Sequence, residues 1–163
     1  MPTPNAHLAP RDSILAPGDT APDFELPTQD RQPWRLSTAL AQPGVKGIAL
    51  SFFPMAFTGV CGTEMKCLSA ESSRWAAKGF QVVGVSCDAF PALKEWAAKE
   101  GFSHTLLADM HREVSKAFGL YWPDLNVSWR GTVLIGPDRK VLWSQKREIK
   151  DAFSLDQLLA AMA

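Results

Sequence analysis

The sequence lacks an excess of charge of either sign, and it lacks a long apolar run. Seventeen Lys and Arg residues balance seventeen Asp and Glu residues, so the formal net charge at pH 7 is zero. No broad positive field is present to hold a nucleic-acid backbone or an anionic membrane. The longest nearly apolar stretch, residues 47–60, contains proline and glycine and is shorter than the roughly 20 residues that cross a bilayer. We therefore expect neither nucleic acid nor a membrane as a partner.

The opening residues, 1–7, show neither the basic start nor the apolar run of a secretory signal. We therefore predict a cytoplasmic protein. Cysteine and histidine are also scarce, with three residues of each. The cysteines, Cys61, Cys67 and Cys87, match neither a Cys-x-x-Cys pair nor a zinc pattern, and in the cytoplasm they should stay reduced. The sequence predicts no metal site and no cofactor.

The length and composition indicate one globular domain. The chain has 163 residues, of which 46% are hydrophobic and 21% charged, a profile that allows a buried core. We predict a flexible, Pro-rich N-terminal arm over residues 1–13 and a single domain over residues 14–163.

Strands and helices alternate along this domain. The apolar run 47–53 ends at Pro54 and predicts a central strand that is covered on both faces. Further predicted elements are a helix over 58–78, a strand over 80–86, a helix over 91–99, a strand over 105–108, a helix over 112–118, an antiparallel hairpin of 132–135 with 140–143, and a helix over 154–162 capped by Ser154. This order predicts an α/β protein of thioredoxin-like fold, a mixed central sheet flanked by helices.

Cys61 lies where such a fold concentrates its chemistry. It follows the central strand, in the first turn of the predicted helix, and reactive groups collect at the carboxyl ends of strands in open α/β sheets. Unpaired backbone N–H groups and the positive end of the helix dipole favour a thiolate over a thiol. With one cation nearby, Cys61 would be a nucleophile that needs no histidine base.

The segment Pro54-x-x-x-Thr58-x-x-Cys61 resembles the active-site pattern of the peroxiredoxins, the AhpC/TSA family of thiol peroxidases with a thioredoxin-like fold. The resemblance extends over about residues 17 to 160. Other segments resemble the landmarks of this family in the right order: residues 18–24, 83–86 followed by Asp88, 106–109 and 129–133.

The resemblance implies roles for five residues. Cys61 would attack the peroxide and become a sulfenic acid, Thr58 would orient the thiolate and the peroxide, and Pro54 would shield the sulfur from water. Arg130 would stabilise both the thiolate and the charge on the leaving oxygen. Glu64 would orient the arginine, although an ordinary exposed helix residue is an equal alternative.

The resemblance leaves the second half of the cycle open. Cys67 follows Cys61 by six residues, about 600° of helix, so the two point to different faces. Cys87 lies on the same side of the predicted sheet as Cys61, but it also suits a buried filler. Each remains a possible resolving cysteine. The default is a one-cysteine mechanism, similar to the alkyl hydroperoxide reductase E subgroup, with a low-molecular-weight thiol or a thioredoxin- or glutaredoxin-type protein as reductant.

Hydrogen peroxide and organic hydroperoxides are the implied substrates, and a homodimer is the implied assembly. Trp129 stands where the family usually has a small or polar residue, so it would line the peroxide pocket or a subunit contact. A peroxide sensor or holdase that is switched by Cys61 oxidation is the alternative function. A general thiol–disulfide oxidoreductase would need a vicinal cysteine pair, which Cys61-Gly62-Thr63-Glu64 does not supply.

Overall fold

The computed structural model describes residues 3–148, 150–151 and 155–162. Its elements, in chain order, are β1 (Glu25–Pro27), β2 (Pro33–Arg35), α1 (Leu36–Leu40), β3 (Gly47–Phe52), α2 (Gly59–Ala70), α3 (Ser72–Ala77), β4 (Phe80–Ser86), α4 (Phe90–Glu100), β5 (Thr105–Ala108), α5 (Glu113–Ala117), β6 (Tyr121–Trp122), β7 (Val127–Ser128), β8 (Arg130–Ile135), β9 (Val141–Arg147) and α6 (Leu155–Ala161). Within these ranges no helix has the length and apolar character needed to span a membrane.

A mixed five-stranded sheet forms the centre of the molecule, in the order β5-β4-β3-β8-β9. β3 pairs with β4, and β4 with β5, in parallel, whereas β8 is antiparallel to both β3 and β9. The parallel pairs are joined by strand–helix–strand crossovers, and the antiparallel β8–β9 pair is the predicted hairpin. The predicted thioredoxin-like arrangement of a mixed sheet flanked by helices is confirmed.

The alternation of side chains along β3 divides the core into two clusters. Ile48, Leu50 and Phe52 face one cluster, together with the apolar residues of α1 and α5. Ala49 and Phe53 face the other, together with α2, α3, α4 and α6. Since successive strand residues point to opposite faces, a polar residue at position 51 points toward α2.

Some predicted elements differ from the observed ones. The predicted helix over 58–78 is two helices, because the backbone leaves the helical region at Glu71 (φ −97°, ψ 8°), just before two serines that favour helix ends over interiors. The short helix α1 and the two-residue strands β6 and β7 were not predicted, since elements of two to five residues carry almost no periodic signal. The predicted cap Ser154 lies outside the described residues.

The described part of the N-terminal arm lies against the domain. Asn5 is buried, and its side chain donates to the carbonyl of Glu25 at 2.8 Å and accepts from the Glu25 N–H at 2.9 Å. Further along, the arm crosses Gly119 so closely that a Cβ there would lie 1.8 Å from the Ser13 carbonyl oxygen. Only glycine fits this crossing. The mobility of residues 1–13 stays a prediction.

Candidate active site

The loop between β3 and α2, with the first turn of α2, carries three of the predicted site residues. Pro54 is buried two residues after the end of β3, Thr58 is the N-cap residue of α2, and Cys61 is the third residue of that helix. The Thr58 hydroxyl does not cap the helix but donates to the Met55 carbonyl at 2.8 Å. The Ala56 N–H donates to the Asp88 carboxylate at 2.8 Å, which ties the loop to the end of β4. The thiol is thereby held at the carboxyl edge of the sheet.

Arg130 reaches this thiol from the first position of β8. Its Nη2 donates to Cys61 Sγ at 3.0 Å, although the two residues are 69 positions apart in sequence. Both residues are 1% exposed. A hydrogen bond from a charged donor is stronger where water is excluded, as it is at this contact. The structure therefore brings together Cys61 and the predicted cation.

Glu64 lies between two guanidinium groups. Its Oε2 accepts from Arg130 Nη1 at 3.0 Å, and its Oε1 accepts from Arg147 Nη2 at 3.0 Å and from the Ser51 hydroxyl at 3.0 Å. The glutamate side chain is 0% exposed. Of the two alternatives for Glu64, the structure shows the arginine partner and not the exposed helix residue.

Arg147, Ser51 and Thr132 were not predicted as members of this cluster. Arg147 is the cross-strand partner of Arg130, and Ser51 is the cross-strand partner of Thr132. Thr132 lies near both, with its hydroxyl 3.1 Å from that of Ser51 and 3.2 Å from Arg147 Nη2. Burial lowers the pKa of Arg147 from its usual range, while the charge of Glu64 opposes that shift. The one sequence signal for Ser51 and Thr132 is a hydroxyl within a largely apolar strand, and Arg147 has no such signal.

A cleft of about 470 Å³ opens over the thiol. It is lined by the site residues of the loop and of β8 and by two charged residues after β9: Pro54, Met55, Thr58, Gly59, Val60, Cys61, Arg130, Glu148 and Lys150. A small molecule in this cleft can reach a sulfur that is otherwise almost fully covered. Trp129 is not among the lining residues; it stacks on Trp122 with ring centroids 4.6 Å apart.

The other two cysteines lie in different surroundings. All three are free thiols. Cys87 packs against α5, with its Sγ 3.7 Å from the Ser115 hydroxyl, and burial raises its pKa to about 11. Cys67 is partly buried in α2, and burial, followed by the charges of Glu71 and Glu64, raises its pKa. Both groups favour the thiol over the reactive thiolate at neutral pH.

No group of three or more His, Cys, Asp or Glu side chains in the described ranges could hold a metal ion. The chemistry on display is that of one buried sulfur with a guanidinium at hydrogen-bond distance, at the helix start of a thioredoxin-like fold. This combination is typical of enzymes that use a thiolate as nucleophile.

The comparisons with known proteins agree with this chemistry. The sequence model of the AhpC/TSA family matches residues 17–144. Alkyl hydroperoxide reductase E of Mycobacterium tuberculosis is 33% identical over 154 residues, which cover 91% of this chain and 99% of that protein. The chloroplastic 2-Cys peroxiredoxin BAS1 of Spinacia oleracea is 27% identical over 161 residues, 94% of this chain and 61% of that protein.

Solved structures lead to the same family. The crystal structure of peroxidoxin BcpB from Mycobacterium tuberculosis superposes with a TM-score of 0.81 at 30% identity, covering 91% of this chain and 96% of that one. Mycobacterium tuberculosis AhpC has a TM-score of 0.80 at 24% identity, over 91% and 96% of the two chains, and shows the shared fold. The chain belongs to the AhpC/TSA family. It is a peroxiredoxin, and its activity is that of a thiol-dependent peroxidase.

Proposed function

We propose that this peroxidase reduces hydrogen peroxide and organic hydroperoxides through Cys61. The thiolate attacks one peroxide oxygen, an S–O bond forms, and the O–O bond breaks. The leaving oxygen takes a proton and departs as water or an alcohol, and the cysteine becomes a sulfenic acid. The observation that carries this proposal is the 3.0 Å contact between Arg130 Nη2 and Cys61 Sγ. The same guanidinium can stabilise the charge that develops on the leaving oxygen.

The other site residues prepare the thiolate and the peroxide. Thr58 orients the peroxide through its hydroxyl oxygen, which can accept a peroxide O–H while its own proton is donated to the Met55 carbonyl. Pro54 shields the sulfur from water, since it has no N–H that could bind a competing solvent molecule. Glu64 acts as a positioning residue, because its carboxylate holds Arg130 at 3.0 Å. The apolar side chains of Met55 and Val60 in the cleft admit the carbon portion of an organic hydroperoxide.

A one-cysteine cycle is the reading that the thiol surroundings favour. An external thiol attacks the sulfenic acid and releases water, and a second thiol then displaces Cys61 from the mixed disulfide. A low-molecular-weight thiol or a thioredoxin- or glutaredoxin-type protein serves as this reductant. Cys87, with its pKa raised to about 11, supplies little thiolate for an internal disulfide, and the pKa of Cys67 is also raised. Cys67 and Cys87 therefore rank behind an external donor as resolving groups.

Mass spectrometry of single serine variants tests both steps. We expect that Cys61→Ser abolishes oxidation by one equivalent of hydrogen peroxide. The parent protein, Cys67→Ser and Cys87→Ser should each form the same sulfenic acid, trapped by a dimedone adduct. A disulfide in the parent that disappears in Cys67→Ser or Cys87→Ser would show an internal resolving cysteine instead.

Stopped-flow kinetics separates a peroxidase from a sensor or holdase. With dithiothreitol in excess, we expect many turnovers of peroxide per Cys61, whereas a sensor would be oxidised once. Arg130→Lys keeps the charge but loses the two-pronged donor, so we expect the second-order rate constant with peroxide to fall by about 10²-fold. Arg74→Lys is the matched control, because Arg74 pairs with Glu71 on the exposed surface. If Arg130→Lys and Arg74→Lys react with peroxide at equal rates, Arg130 does not take part in the reaction.

We also propose that the protein is a cytoplasmic homodimer that pairs through the active-site loop. Two large apolar side chains of this loop are exposed, Met55 at 40% and Phe57 at 53%. Exposed apolar groups next to one another favour a protein contact. Phe57→Glu should shift the mass measured by light scattering from dimer to monomer. Lys78→Glu, on the surface next to α3, should leave the dimer intact. A monomeric parent, or a dimer that persists in Phe57→Glu, would contradict this assembly.

A further inference from the structure

A second cavity, of about 400 Å³, lies between the N-terminal arm and the strands that follow α5. Its walls include Arg11 and Asp12 from the arm, Lys116 from α5 and Tyr121 from β6. They also include Trp129, which directly precedes β8, and Lys146 of β9. Trp129 packs against the core cluster of α1 and α5, whereas its neighbour Arg130 reaches Glu64 of α2. The cavity is therefore on the face of the sheet opposite to Cys61.

Aromatic rings hold two of the cations of this cavity in place. The Lys146 ammonium lies 4.3 Å from the centroid of the Trp129 ring, and the Lys116 ammonium lies 4.7 Å from the centroid of the Tyr121 ring. Trp129 is itself fixed by stacking on Trp122, with an interplanar angle of 22°. An ammonium over an aromatic face is attracted by the ring but keeps its charge and its N–H donors. Both lysines are thus positioned and still able to bind an anion.

The charge around the cavity is not balanced by acidic residues. Three cations line it and Asp12 is its one acidic lining residue. None of the ion pairs within 4.0 Å among the described residues involves Lys116 or Lys146. Arg11 pairs with Asp19 at 3.4 Å, but both side chains are more than one third exposed, so this pair is weak. The cavity has an excess of positive charge.

The arm forms a defined wall and not a loose cover. The Arg11 N–H donates to the Lys116 carbonyl at 2.9 Å, and the Leu15 N–H donates to the Phe118 carbonyl at 3.3 Å. Gly119 permits this close crossing. The backbone contact places Arg11 directly beside Lys116 in the cavity lining, so a ligand there would meet positive charge from both the arm and α5.

We propose that this cavity binds a small polyanion, a molecule with two or more phosphate or carboxylate groups. Its volume falls within the range of about 300–1,000 Å³ that is typical of small-molecule sites. Arginine and lysine together bind such groups by charge-assisted hydrogen bonds, arginine through two parallel N–H donors and lysine as a point charge. The site is separate from the peroxidase cleft and does not depend on its mechanism.

Calorimetric titration of the full-length reduced protein tests the site. Sodium pyrophosphate is the phosphate probe and sodium citrate the carboxylate probe, each at an ionic strength held constant with sodium chloride. We expect saturable one-to-one binding of at least one probe, and the ratio of the two dissociation constants identifies the preferred group. Lys116→Gln and Lys146→Gln should each weaken binding by about tenfold, as expected for the loss of one charged hydrogen bond.

Lys78→Gln is the matched control, because it removes the same charge from a surface next to α3. It should bind the probe as the parent does, and circular dichroism of all three variants checks that they fold. If neither probe gives a saturable heat, or if Lys78→Gln weakens binding as much as Lys116→Gln and Lys146→Gln, the interaction is a general effect of charge and the proposed site is wrong.

Discussion

Glu64→Gln tests whether the buried charges act as one network. The substitution keeps the shape of the side chain but removes the negative charge between Arg130 and Arg147, each of which donates to the carboxylate at 3.0 Å. The carboxylate is fully buried, so no water can replace it. In the proposed reduced state the Cys61 thiolate and Glu64 together balance the two guanidinium groups. Without the carboxylate, one positive charge is left uncompensated inside the protein.

The cost can be worked from these contacts. Two opposite charges about 4 Å apart attract by about 4 kcal/mol at an effective dielectric constant of about 20. Removing one partner of a buried pair destabilises a protein by about 3–5 kcal/mol. The glutamine amide oxygen can still accept from one arginine, and the thiolate still balances Arg130, so we expect the lower end, about 3 kcal/mol. For a chain of this length the melting temperature should fall by about 6–12 °C.

Urea unfolding of the reduced protein at pH 7 measures this change. Glu71→Gln is the matched control: Glu71 pairs with Arg74 at 2.7 Å, but the arginine side chain is 56% exposed, so the loss should stay below about 1 kcal/mol. In a Cys61→Ser background the cost of Glu64→Gln should rise by about 1 kcal/mol, because no thiolate remains to balance Arg130. If Glu64→Gln destabilises the protein no more than Glu71→Gln, the buried network does not stabilise the fold.

Three further predictions concern other parts of the chain. Burial lowers the pKa of His104 to about 4, so between pH 6.5 and 4 only the unfolded chain binds that proton. The free energy of unfolding should therefore decrease by about 3 kcal/mol as the pH is lowered from 6.5 to 4. His104→Asn should remove this decrease when urea unfolding is measured at a series of pH values. Burial raises the pKa of Cys87 to about 11, so iodoacetamide at pH 8 should label Cys67 well before Cys87 in the native Cys61→Ser protein, and equal labelling would contradict the burial argument. Gly119→Ala should lower the free energy of unfolding in urea by several kcal/mol more than Gly101→Ala, and it should expose the arm to protease. Both glycines have a positive φ (72° and 73°), but of the two only Gly119 would place a Cβ against backbone, at 1.8 Å. Equal losses of stability would show that the arm moves aside at this crossing.

The central strands were predictable because each is an apolar run between residues that break regular structure. The predicted bounds of β4 and β5 match the observed ones, Phe80–Ser86 and Thr105–Ala108. β3 was predicted one residue longer than Gly47–Phe52. A strand covered on both faces is mostly apolar, so its composition marks it without any partner.

Arg147 was not predicted as a strand residue, because the end of β9 is held by pairing with β8 and its own sequence lacks the apolar pattern of a strand. The hairpin strand was predicted to end at residue 143, but β9 continues through Ser144-Gln145-Lys146 to Arg147. These four residues are polar, and they are held as a strand by pairing with β8 as far as Arg130. Glu64 shows the same limit, since a carboxylate in a helix suggests an exposed residue until two guanidinium groups from distant strands cover it. Pairings over such distances leave no local trace.

The arrangement of charges also bears on how the proposed cycle is completed. In the proposed reduced state, the charges of the Cys61 thiolate, Glu64, Arg130 and Arg147 sum to zero. Oxidation to a neutral sulfenic acid removes one negative charge, and the buried cluster is then left with a net positive charge. In a site of low dielectric this imbalance attracts an incoming anion more strongly than a neutral group. The thiolate of an external reductant restores the balance, whereas Cys87, held as a thiol by burial, does not bring the needed charge. In the proposed cycle, the positive charge of Arg130 and Arg147 therefore also favours a reductant from outside the chain.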